Sequence, residues 1–184
     1  MEFTLFYRGL LKANRGPKEK QDLRRNFHTQ LNLLWQQPPL EDCHEFKDIS
    51  PQSGKISLVY NIGGFNFIPL VSKKIHMIAE LDITMLRPEP PGKVIQSGDI
   101  DNRIKTLLDG LRMPKVEQEL PNGDNPKKGE IPFFCLLKDD NLITRISVNT
   151  DRLLENNIDP SEVVLLIHVH TKLTRLIYAN IGLG

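Results

Sequence analysis

Apolar positions along this chain recur with two different periods, and the period names the element. Leu23, Phe27, Leu31 and Leu34 recur at spacings of four, four and three, which predicts a helix from residue 18 to about residue 35 with one apolar face. Ahead of it, residues 2–8 read as a strand, and Gly16 and Pro17 mark the loop between. Residues 56–60 and 65–71 read as strands around the turn signal Gly63-Gly64, followed by an apolar strand over residues 76–85. Ile100, Ile104, Leu107, Leu108 and Leu111 fall at i, i+4, i+7, i+8 and i+11, the stripe of a second helix packed on a core. Strand-like runs then cover residues 133–137, 142–148 and 163–171. The last of them alternates Val163, Leu165, Ile167 and Val169 onto one face.

Two stretches lack either period. Residues 36–54 hold Pro38, Pro39, Pro51 and many acids and read as a connection, while residues 113–132 are expected to form a long, mobile insertion. Pro88, Pro90, Pro91 and Gly92 break the chain before the second helix. The expected fold class is therefore α/β in the α+β sense: one domain spanning residues 1–184, a small mixed β-sheet packed by helices, with insertions near 36–54 and 113–132.

Length and composition agree with one globular domain. The chain has 184 residues and 21.1 kDa, 39% hydrophobic and 26% charged residues, enough to bury a real core. No stretch approaches the roughly 18 consecutive apolar residues of a membrane span, and the start MEFTLFYRGLLK lacks the layout of a secretory signal, so a cytoplasmic location without membrane association is expected. Cys43 and Cys135 stand far apart without CxxC spacing, which supports neither a disulfide framework nor a structural zinc site. A formal net charge of +1 excludes nucleic-acid binding by bulk basicity. Its distribution is uneven, however: residues 1–35 carry seven Lys or Arg against three acids. Arg8, Lys12, Arg15, Lys18, Arg24 and Arg25 are thereby candidate phosphate contacts, unless they simply solvate a helix face.

Asp99 and Asp101 flank Ile100 where a loop enters the second helix. Two hard oxygen ligands so close suit Mg²⁺, which combines carboxylates with water and phosphate oxygens; helix capping is the bland account of the same residues. Lys105 follows Asp101 by one helical turn, where an ammonium can face a phosphate. A second acid pair, Asp139-Asp140, interrupts an apolar stretch, where it is costly unless it ends a strand or binds a cation. Asn102 can orient a carboxylate or cap its own helix. A surface ion pair and a tight turn at 139–141 are the corresponding plain readings.

The order D-x-D-N-x-x-K-x-x-x-D-x-L, standing as Asp99, Asp101, Asn102, Lys105, Asp109 and Leu111 and followed by a D-D pair entering a strand, resembles the RusA family of Holliday junction resolvases. Strong likeness covers about 15 residues. The resemblance implies Asp99, Asp101 and Asp140 as ligands of a catalytic Mg²⁺, with Mn²⁺ as an alternative, and Lys105 as a further catalytic group. Asn102 and Asp139 become supporting residues. It further implies a homodimer that presents two sites to a four-way DNA junction and cleaves by phosphodiester hydrolysis, in recombination or repair.

Two other readings start from the same residues. D-x-D also opens aspartyl-phosphate phosphatases, although Lys93-Val94-Ile95-Gln96 is a poor strand ahead of it and Asn102-Arg103 departs from the phosphatase pattern. A non-catalytic DNA-binding module using the basic N-terminal segment is the third. His168 and His170 alternate on one strand and offer two nitrogen ligands to a transition metal, or are plain surface residues. Trp35, Phe65 and Phe67 are expected in the core.

Overall fold

The computed structural model describes residues 1–13, 15–88 and 99–183, with Asp99 described through its backbone only. Strand β1 (Glu2–Leu10) leads to helix α1 (Pro17–Leu34), then β2 (Tyr60–Ile62), β3 (Phe65–Val71) and β4 (Met77–Arg87). Helix α2 (Asp99–Leu111) follows, and β5 (Phe133–Leu137), β6 (Ile143–Arg152) and β7 (Glu162–Leu173) complete the order. The result is a mixed α/β domain with two sheets rather than the single one expected. One has the order β1-β7-β4-β6 and the other β2-β3-β5. β7 runs antiparallel to both β1 and β4, whereas β4 pairs parallel with β6 and β3 parallel with β5.

Period-two alternation sets the large sheet's faces. Leu81, Ile83 and Met85 of β4 and Val163, Leu165, Ile167 and Val169 of β7 are buried, and they pack in one cluster with Leu23, Phe27 and Leu31 of α1, Trp35, and Leu107 and Leu111 of α2. The opposite face mixes polar residues, among them Glu80, Asp82, His168 and His170, with the exposed Phe6, Leu10 and Leu166. A smaller cluster joins Phe65, Phe67, Met113, Leu120, Phe133 and Cys135 in the second sheet. Cys43 and Cys135 are both free, and complete burial pushes the Cys135 thiol up to about 12. Among the described residues no helix is long and apolar enough to cross a membrane.

Gly63 and Gly64 both have positive φ, 55° and 80°, the backbone a two-residue hairpin turn demands and glycine supplies without steric cost. They join β2 to β3 as expected, but β2 starts only at Tyr60. The residues before it pair elsewhere: the Leu58 N–H donates to the Phe46 carbonyl at 3.0 Å and the Ser57 hydroxyl to the Asp48 carbonyl at 2.5 Å. They are thus held by the short 3-10 turn His44–Lys47 inside the 36–54 connection.

Residues 113–132 depart further from expectation. This arm is clamped to α1. Arg25 pairs with Asp124 at 2.9 Å and with Glu130 at 2.8 Å. Arg24, only 1% exposed, donates through Nε to the Arg112 carbonyl at 3.0 Å. Arg112 in turn binds Glu119 at 2.7 Å, and Leu120 is buried in the smaller cluster. The expected mobile insertion is a fixed structural arm, held by charges too far away in sequence to be paired by inspection. Pro90, Pro91, Gly92 and the segment Lys93-Val94-Ile95-Gln96 lie outside the described residues.

Candidate active site

Helix α2 begins at Asp99, so Asp101 sits in its first turn and Lys105 one turn later, both exposed. Across from them, β5 ends and the chain makes a 3-10 turn at Asp140–Leu142 before entering β6. Asp101, Lys105 and Asp140 line one cleft of about 370 Å³, whose walls are Ile100, Ile104 and Leu108 of α2 and Ile146 and Val148 of β6. Three of the five residues in the apolar stripe of α2 thus build the cleft, while Leu107 and Leu111 enter the core. Neither Asp101 nor Lys105 makes an ion pair among the described residues. The side chain of Asp99, the remaining ligand implied by the sequence resemblance, lies outside them.

The two acids of the 139–140 pair have different tasks. Asp139 caps the 3-10 turn, its carboxylate accepting the Asn141 N–H at 3.1 Å. Partial burial pushes its carboxyl up, but the Asn141 N–H, a hydrogen bond shared with Asp140 and the ammonium of Lys115 outweigh this and hold it at about 2. Lys115, on the arm, stands 3.3 Å from Asp139 and 3.7 Å from Asp140. The turn reading is therefore right for Asp139. Asp140 is left facing the cleft with Asp101.

Behind the acid pair lies a second hollow, about 260 Å³, lined by Lys73, Lys74, Lys138, Tyr60 and Asp139 among others. The Lys74 and Lys138 ammoniums sit over the Tyr60 ring at 4.5 and 4.7 Å. Parallel pairing of β3 with β5 brings these lysines together: Val71 is opposite Leu137, and the Lys138 N–H donates to the Val71 carbonyl at 2.9 Å. The sequence offers one local hint, the K-D-D order at 138–140; the approach of Lys73 and Lys74 depends on strand pairing across some 65 residues.

The N-terminal cations are a different matter. Arg24 is buried, Arg25 is paired twice, Arg8 binds Glu155 at 2.7 Å and Glu162 at 2.9 Å, and Arg15 binds Glu19 at 3.3 Å. Of the six expected phosphate contacts, Lys12 and Lys18 alone have no ion pair among the described residues. The basic excess of this segment serves mainly to hold the fold. Asp109, the last acid of the motif, is structural too: it binds Arg112 at 2.6 Å and Lys20 at 2.7 Å, and although burial pushes its carboxyl up, those cations hold it below the usual range.

A larger hollow of about 740 Å³ lies between the Gly63-Gly64 turn and the arm. Its described lining has no Lys, Arg or His, which suits a phosphodiester poorly. Compared with models of known protein families, with curated proteins and with solved structures, the chain has no match.

As ligands, Asp101 and Asp140 fit a hard cation: both are exposed carboxylates, Asp140 with Lys115 nearby as its counter-charge, and their cleft has room for water and a phosphate beside them. Asp101, Asp139 and Asp140 do not by themselves bring three ligand atoms together. Two carboxylates suffice for Mg²⁺, which keeps several waters and takes the rest of its shell from the substrate.

Proposed function

We propose that this chain is a Mg²⁺-dependent endonuclease acting on branched DNA, of the RusA kind, working in the cytoplasm as a homodimer that offers two clefts to opposed strands. The observation that carries the reading is the shared cleft of Asp101, Lys105 and Asp140, which joins the D-x-D-N-x-x-K helix to an acid pair some 40 residues later.

In this reading Asp101 and Asp140, with Asp99, hold the ion, which supplies charge neutralisation at the scissile phosphate and acidifies the attacking water. Lys105, which makes no ion pair among the described residues, is available to the phosphate's equatorial oxygens as negative charge grows there. Asp139 fixes the turn that aims Asp140. Lys73, Lys74 and Lys138 replace the N-terminal arginines as the surface for the flanking phosphates.

The experiment is incubation of the purified chain with a synthetic four-way junction and with a linear duplex of matching sequence, with and without Mg²⁺. Symmetric nicks in the junction, dependent on the metal, are expected. A chain that leaves the junction intact across Mg²⁺ and Mn²⁺ is no nuclease of this kind. Junction binding that ignores the metal would then favour a non-catalytic module, and a phosphoenzyme trapped on Asp99 would favour the phosphatase reading.

A further inference from the structure

The large sheet turns one face away from α1 and α2, and there strand register gathers a second set of ligands. β1 places Glu2 opposite His170 and Thr4 opposite His168, and β4 places Asp82 opposite His168 on the other side of β7. We propose that Glu2, His168 and His170 form a binding site for one divalent transition-metal ion of the zinc class.

Geometry carries the proposal. Each of the three residues offers a ligand atom within 4.8 Å of the other two, the sole such group of three among the described residues. Glu2 Oε1 is 3.1 Å from His170 Nδ1, and Glu2 Oε2 is 4.0 Å from His168 Nε2. Ligands about 2.0–2.1 Å from a shared tetrahedral Zn²⁺ stand roughly 3.3 Å apart, so small rotations of the exposed Glu2 and the two half-buried histidines bring all three into place. Two imidazole nitrogens and one carboxylate oxygen suit zinc better than Mg²⁺, and a fourth position stays open for water.

The far nitrogen of each ring has a polar neighbour, hydrogen-bonded for His168 and slightly beyond hydrogen-bond distance for His170. His168 Nδ1 lies 3.1 Å from the Thr4 hydroxyl oxygen, and His170 Nε2 lies 3.6 Å from Asp82 Oδ2. Asp82 is itself fixed by two bonds from Arg145, at 2.9 and 2.8 Å. With the protons on those far nitrogens, the lone pairs of His168 Nε2 and His170 Nδ1 both face Glu2. Partners of this type set the tautomer and orientation of metal-bound imidazoles. An ion here ties the first residues of edge strand β1 to β7.

The test uses the whole chain, stripped with a chelator and titrated with Zn²⁺ by calorimetry in excess Mg²⁺, which occupies hard-oxygen sites. One Zn²⁺ per chain is expected, and Co²⁺ in its place should give the visible absorption of a four-coordinate centre. The double variant His168→Gln/His170→Gln should lose the ion. Asp82→Asn should weaken binding about 10–100-fold, and Asp101→Asn/Asp140→Asn should leave it unchanged. Glu2→Gln, exposed at the start of β1, weakens it without risk to the fold. Absence of stoichiometric uptake, or uptake indifferent to the double histidine variant, overturns the proposal.

Discussion

The backbone N–H of Phe134 donates to Nδ1 of His28 at 2.9 Å, and His28 Nε2 meets the Gly129 carbonyl at 3.1 Å. This pairing demands a neutral ring with its proton on Nε2, because a second proton on Nδ1 would face the Phe134 N–H. Burial accordingly pushes the His28 imidazole below its ordinary value. Its folded pKa being the lower one, the unfolded chain binds the proton more readily. The contribution is complete above about pH 6.5 and is lost as pH falls through the folded value. Urea unfolding from pH 8 to pH 5 should show this loss. His28→Ala should flatten that part of the profile and cost about 1–3 kcal/mol for the orphaned N–H alone.

The acid pair separates structure from chemistry within two residues. Asp139→Ala removes a turn cap and should cost about 1 kcal/mol, read from the urea midpoint. Asp140→Asn should keep the wild-type midpoint while lowering Mg²⁺-dependent junction cleavage on the order of 100-fold or more. Equal cleavage by wild type and Asp140→Asn would remove Asp140 from the site.

DNA affinity should follow the lysines around Tyr60. Lys73→Ala/Lys138→Ala should weaken junction binding and reduce the slope of log affinity against log salt by about one for each phosphate that is no longer neutralised. Arg24→Ala should instead destabilise the fold by about 2–4 kcal/mol, since it empties a buried site and strips the Arg112 carbonyl of its donor. Titration of a labelled junction at several salt concentrations, beside urea unfolding, distinguishes the two.

At Gly110 the helices nearly touch: a Cβ built there would lie 2.7 Å from Leu23 Cβ. Gly110→Ala should therefore destabilise by about 1–3 kcal/mol despite alanine's higher helix propensity. Leu23→Gly in the same chain, which takes away that Cβ, should relieve part of that cost, giving a coupling energy of about 0.5–3 kcal/mol in a double-mutant cycle.

Both helices and most strands were legible because a stripe or an alternation marks a buried face. Leu23, Phe27 and Leu31 announced α1, and Val163 to Val169 announced β7. A second buried stripe on α1, formed by Gln21, Arg24 and His28, was hidden by its polarity, which a pattern reading assigns to solvent. With it went the arm, whose partners Asp124 and Glu130 stand about 100 residues from Arg25. The D-x-D-N-x-x-K helix and the D-D pair were visible as motifs. Lys115, Lys73 and Lys74 were not, because only tertiary pairing gives them neighbours.

β7 has no tolerable adjacent register. Paired on both sides, it would, if displaced by one residue, carry His168, His170 and Lys172 toward the hydrocarbon interior and turn Val163, Leu165, Ile167 and Val169 out to water. One strand thus acts as the ruler against which β1 and β4 are measured, and every side-chain alignment across that face is inherited from it.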